Sequence, residues 1–210
     1  MRIPISAHTS RPWRIHEIAP DFAVEDVWAL PTFGGPDDFP RLLDVAATLD
    51  FPDSGPLPVR LVWKVRDELG RWLGLGRISV PSDESAGSLP IPGSGETTLI
   101  ERLPDDLRGT AVATVAPGTP LRPIYQTEDE YAEELSNRTV HSVMHLGWVE
   151  LDDGRYQGQM AVLVKPRGRL GEAYMALIKP FRYALVYPAL MRVVERAWQR
   201  QPAPEAHAAR

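Results

Sequence analysis

Two histidines four residues apart, His141 and His145, are the first groups in this sequence with chemistry to offer. Imidazole changes charge near neutral pH and is the commonest metal ligand. On a helix that spacing sets both rings on one side, where they can share an ion. Here they fall in Thr139 to Leu151, which reads as a strand, and at about 3.3 Å per residue the rings stand roughly 13 Å apart. That is too far for one metal. No Glu at a recognisable spacing completes a ligand set. The chain has no cysteine, so thiolate sites, disulfides and a Cys nucleophile are excluded. The expectation is no metal and no cofactor. His145, flanked by Val143 and Gly147, remains a candidate acid or base if it points into a cavity. The simpler reading is a buried histidine paired with a neighbour.

A second set lies near the C-terminus: Tyr174, Lys179, Arg182, Tyr183 and Tyr187. Tyr183 and Tyr187 are four apart and share a helix face, as Lys179 and Arg182 do at three. Arg182 and Tyr183 join His145 as candidate catalytic groups. Trp63, Trp72, His145, Met160, Tyr174, Tyr183 and Tyr187 are the candidate ligand-binding residues. The simpler reading makes the aromatics core pieces with wet tips and the cations solvated or paired. Other patterns carry less. Gly70, Gly74 and Gly76 end a helix and lack the Lys-Ser/Thr of a phosphate loop. Asp105 with Asp106, and Asp152 with Asp153, sit in turns, where Asp serves the backbone. The "PGSGE" of the Ser79 to Gly95 loop is not on the strand-to-helix turn that a nucleophile elbow needs.

The elements that must position these groups follow from periodicity. Trp13 to Ile18 reads as an opening strand, Phe22 to Leu30 fits neither period, and Pro31, Gly34, Gly35 and Pro36 break the chain. Asp37 or Asp38 caps a helix through Leu49, striped by Phe39, Leu42, Leu43, Val45, Ala46 and Leu49. A second helix spans Pro58 to Leu73, and Ser79 to Gly95 is a polar loop. Thr98 with Glu101 marks a short capped helix, and Leu121 to Gln126 a short strand. Thr127 with Glu130 marks another capped helix, with Tyr131 and Leu135 on one face and Asn137 at its end. Thr139 to Leu151 and Tyr156 to Lys165 form a hairpin about Asp152, Asp153 and Gly154. If Leu151 pairs with Tyr156, then His145 opposes Val162 and Gly147 opposes Met160 on one face. From Leu170 to Gln199 an apolar stripe marks a long helix that Pro180 and Pro188 must kink or restart. Residues 201–210 read as a disordered tail.

Composition sets the wider bounds. Apolar residues are 43% and charged residues 24% of 210, which is ordinary globular composition and fits one domain over 1–200. No run approaches the roughly 20 apolar residues that cross a bilayer, and no leader is evident, so a soluble cytoplasmic protein is expected. The net charge of −5, without any basic block, excludes the electrostatic footprint of a nucleic-acid binder.

The stretch Glu134 to Trp198, "ELSNRTVHSVMHLGWVELDDGRYQGQMAVLVKPRGRLGEAYMALIKPFRYALVYPALMRVVERAW", resembles a bacterial family known as a domain of unknown function, number 2867. So do "FAVEDVWALP" at Phe22 to Pro31 and "ERLPDDLRGT" at Glu101 to Thr110. The order of elements resembles the helix-grip architecture of the START or SRPBCC superfamily. The resemblance implies an α+β fold, a curved antiparallel sheet wrapped around a long C-terminal helix with two helices after the first strand, and a hollow that often holds a hydrophobic small molecule. It transfers no catalytic residue. An apolar small molecule in an internal cavity is the first functional reading. The second is a cyclase- or dehydratase-like enzyme with His145 as base and Arg182 or Tyr183 polarising a carbonyl. The third is a homodimer joined through a mixed hairpin face bearing Met144, Leu146 and Trp148.

Overall fold

A computed structural model describes residues 1–49, 98–111, 121–136 and 139–201. The expected second helix with Trp63 and Trp72, the 79–95 loop, and 202–210 of the expected tail lie outside the described residues. The elements are β1 (Arg2–Ile3), α1 (Ser6–Thr9), α2 (Ile15–Ile18), β2 (Ala23–Gly34), α3 (Phe39–Thr48), β3 (Arg122–Gln126), β4 (Glu130–Ser136), β5 (Val140–Glu150) and β6 (Tyr156–Pro166). A last helical run follows, built of α4 (Gly168–Phe181), a π-helical turn (Arg182–Val186) and α5 (Tyr187–Arg200). The strands make one antiparallel sheet in the order β1-β2-β6-β5-β4-β3. This is an α+β fold with a six-stranded sheet and a long C-terminal helix. Among the described residues no helix is long and apolar enough to cross a membrane.

Three local expectations are corrected. Trp13 to Ile18 is not a strand: Ile15 and Ile18, three apart, form one short helical turn that buries both side chains. Of Phe22 to Leu30, the residues from Ala23 onward lie in a strand that runs on through Pro31 to Gly34, with a register shift between Ala29 and Phe33 where proline cannot join the ladder. The segment after Thr127 is strand β4, not a helix. One of the two capping-box bonds does form, since the Thr127 hydroxyl accepts from the Glu130 amide at 3.0 Å. Thr127 N–H also donates to the Glu130 carbonyl at 2.8 Å, which closes a β3–β4 hairpin instead.

The β5–β6 hairpin forms where expected but one residue out of register. Leu151 N–H donates to the Arg155 carbonyl at 2.8 Å, so the loop is the three residues Asp152, Asp153 and Gly154, with Gly154 at φ +78°. Glu150 therefore faces Tyr156, Leu146 faces Met160, and His145 faces Ala161. A slip of one residue moves β6 side chains to the other face relative to β5. Met160, expected beside His145, is on the opposite side of the sheet.

Both faces are covered, which explains why neither alternates cleanly. On one face Trp13, Ile15, Ile18 and Phe22 join Leu99, Leu103 and Leu107 over Val27, Val143, Ala161 and Leu163. On the other, α3 through Phe39, Leu42, Leu43 and Val45, and α5 through Tyr187 and Trp198, cover Trp28, Met160, Leu146, Tyr131 and Trp148. Leu146 and Trp148, expected to be open to a second copy, are buried under the chain's own helices. Arg41 of α3 locks the two helices together, its guanidinium 3.8 Å over the Trp198 ring and its Nη2 donating to the Trp198 carbonyl at 2.6 Å.

Candidate functional site

The last helical run reaches the sheet through its interruption. Pro188 has no amide proton, and the turn before it widens so that Tyr187 N–H bonds the Arg182 carbonyl five residues back. Pro180 and Pro188 thus bracket a π turn that carries Arg182 and Tyr183, with Tyr187 just beyond it. Arg182 Nη2 donates to Asp26 Oδ2 at 2.8 Å and to the Tyr187 hydroxyl. Trp28 Nε1 donates to the other Asp26 oxygen at 2.8 Å. Asp26 is fully buried and has a partner on each oxygen. The Trp28 and Tyr187 rings lie 4.5 Å apart, and the Arg2 guanidinium lies 4.5 Å from the Tyr183 ring centre. The Tyr183 hydroxyl is buried without a hydrogen-bond partner among the described residues. Lys179 instead pairs with Glu25 at 2.9 Å.

Strand register extends this cluster across the sheet. Asp26 faces Val162, Val162 faces Met144, and Met144 faces Glu133, so these four form one row on the helix-covered face. The adjacent row, Trp28, Met160, Leu146 and Tyr131, is sealed. Val162 and Met144, on the two central strands, are only half-buried. At the far end Glu133 is 5% exposed, and the one side-chain hydrogen bond it makes among the described residues comes from the Tyr131 hydroxyl at 3.2 Å. Burial, only partly offset by that bond, pushes the Glu133 carboxyl up to about 7.

The opposite face holds a polar chain. Glu130 accepts from Arg14 N–H at 2.9 Å and from the Tyr125 hydroxyl at 2.8 Å. His145 Nε2 lies 3.0 Å from Glu130, and His145 Nδ1 lies 3.1 Å from His8 Nε2. Burial raises the Glu130 carboxyl, but the bonds from His145, Arg14 and Tyr125 outweigh it and hold it below the ordinary range. Burial holds the His145 imidazole below its usual value, so the pair is a carboxylate with a neutral ring. His145 then donates from Nε2 to Glu130 and accepts at Nδ1 from His8. His8 Nδ1 is left as a buried acceptor without a hydrogen-bond partner among the described residues. A second carboxylate, Glu134, accepts from the Thr98 hydroxyl and from Leu99 N–H at 3.0 Å, with His141 Nε2 at 2.8 Å. These two carboxylates fasten the segments at Arg14 and Thr98 onto the sheet. His141 and His145 answer to different glutamates, and no group of three or more metal-binding side chains occurs among the described residues.

The family model described as a protein of unknown function (DUF2867) matches residues 18–189. The chain belongs to that family. No curated protein and no solved structure matches it. The DUF2867 match takes in the whole row from Asp26 to Glu133 and the π turn, and begins beyond His8 and Arg14.

Of the DUF2867 chain's expected site residues, the structure gathers Arg182, Tyr183 and Tyr187 beside Trp28, with Met160 facing Trp28 in the same row. It places His145 on the other side of the sheet, so His145 does not converge with Arg182 or Tyr183. Tyr174 lies in α4. Asp26, Glu133, Glu130 and His8 are functional candidates that sequence reasoning passed over. The signal for two of them, Glu130 and Glu133, was the alternation in "EYAEELS". As a strand it sends Glu130 and Glu134 to one face and Glu133 to the other.

Proposed function

We propose that this protein is a binding protein for an apolar small molecule, held against the helix-covered face of the sheet in the manner of the helix-grip folds its sequence resembles. One observation carries the reading: Met144 and Val162 stay half-buried in the middle of the sheet while the row beside them is sealed. A sheet centre that the chain's own side chains leave partly uncovered is a floor on which apolar surface can be buried. The walls are the Trp28, Asp26, Arg182 and Tyr183 cluster on one side and Tyr131 with Glu133 on the other. An eight-carbon chain, at about 0.8 kcal/mol per buried CH2, contributes at most roughly 6 kcal/mol before ordering costs, which sets the tightest dissociation constant in the tens of micromolar. Probes must therefore be used at that concentration or above.

The test is uptake of the neutral dye Nile red, with displacement by octanol. The wild type should enhance dye fluorescence, and Met144→Trp, which fills the floor, should abolish the enhancement while leaving the circular dichroism spectrum intact. Equal dye uptake by the folded variant, or none by the wild type, overturns the reading.

A further inference from the structure

Four carboxylates are buried among the described residues, and three are satisfied by several donors: Asp26 by Arg182 and Trp28, Glu130 by His145, Tyr125 and Arg14 N–H, and Glu134 by His141, Thr98 and Leu99 N–H. Glu133 is the fourth. Its neighbours across the strands are Met144 on β5 and Pro123 on β3, neither of which titrates, and its one side-chain partner among the described residues is the Tyr131 hydroxyl. A carboxylate offers about four acceptor positions, so a single phenol leaves most of its capacity unused. Buried charge is tolerated when it is paired, and Glu133 borders the half-buried floor of Met144 and Val162. Resting on the binding site proposed above, we infer that the ligand's polar end is an ammonium group, which pairs with Glu133 while an apolar body lies over Met144 and Val162. The ligand class is thus an apolar primary or secondary amine, and Tyr131 is the group that positions the carboxylate for it.

Three probes of one length and different heads separate the outcomes: octylammonium, octanol and octanoate, each measured by displacement of Nile red. Octylammonium should bind the wild type at pH 8 at least tenfold more tightly than octanol, and octanoate more weakly than either. Because Glu133 must give up its proton to form the pair, octylammonium affinity should rise about tenfold between pH 6 and pH 8, as expected for a group titrating near 7. Octanol affinity should fall slightly or stay flat. Glu133→Gln should remove both the preference and the pH dependence, and the wild-type series decides the matter even if that variant fails to fold. If octanol and octylammonium displace the dye equally at both pH values, the amine inference fails while the binding site stands. If no probe and no dye binds, both fail.

Discussion

Exchanging His8 for glutamine keeps a donor for His145 Nδ1 but removes a buried titrating group, and the acid stability of the fold should record the loss. His8 is fully buried, and its pKa is pushed down to about 2 by burial and by the neighbouring His145 and His16. The same ring in the unfolded chain titrates near 6.5. The folded value lies below the unfolded one, so the unfolded state takes up the proton first. His8 therefore withdraws stability as pH falls below 6.5 and has no such effect above it. The slope is about 1.4 kcal/mol per pH unit, or about 2 kcal/mol between pH 6.5 and 5. His145, also depressed by burial, acts in the same sense. Glu133 acts in the opposite sense. Its raised pKa means the folded state holds the proton between the unfolded value of 4.5 and about 7, which adds stability as pH falls through that window. The absolute slope is thus a sum of opposing parts, and the difference between wild type and His8→Gln isolates one of them. Urea unfolding followed by tryptophan fluorescence at pH 7.5, 6.5, 5.5 and 5.0 measures it, with Trp13, whose ring is 5.3 Å from that of His145, as a local reporter. The two proteins should diverge below pH 6.5, with the variant losing about 2 kcal/mol less by pH 5. Parallel curves over that range would refute the assignment of a buried neutral His8.

Asp26→Ala should destabilise the protein by about 3 to 5 kcal/mol in urea titrations, because it strands the largely buried Arg182 cation and the Trp28 N–H; a loss under 1 kcal/mol would show that Arg182 finds water. A Cβ on Gly147 would stand 2.8 Å from the Trp13 ring, so Gly147→Ala should lower stability by about 1 to 3 kcal/mol and shift the tryptophan emission. An unchanged emission spectrum would place Trp13 elsewhere. Gly154→Ala forces an alanine to φ +78° in open space, and equilibrium unfolding should show a loss of about 1 to 2 kcal/mol without a change in dye binding.

Local sequence determined the elements whose signals are local. The stripe of Phe39, Leu42, Leu43 and Val45 specifies α3, and Asp-Asp-Gly between two β-rich runs specifies the β5–β6 hairpin. Pro180 and Pro188 specify an interruption in the last helix, because a missing amide proton and a ring clash act within one turn. Tertiary structure decided the rest. The bond from Glu130 N–H to the Thr127 hydroxyl occurs equally in a helix cap and in a turn, and pairing of Glu130–Ser136 with a strand on each side selected the turn. Hairpin register depended on Gly154 closing a three-residue loop, and that one residue decides whether Met160 lies with His145 or with Trp28. The buried pairs were beyond any local reading, since His8 and His145 are 137 positions apart and Arg182 and Asp26 are 156 apart. The part played by Glu133 follows from the same cause: a strand sends it to the face opposite Glu130 and Glu134, and only the folded sheet shows that this face has no cation waiting for it among the described residues.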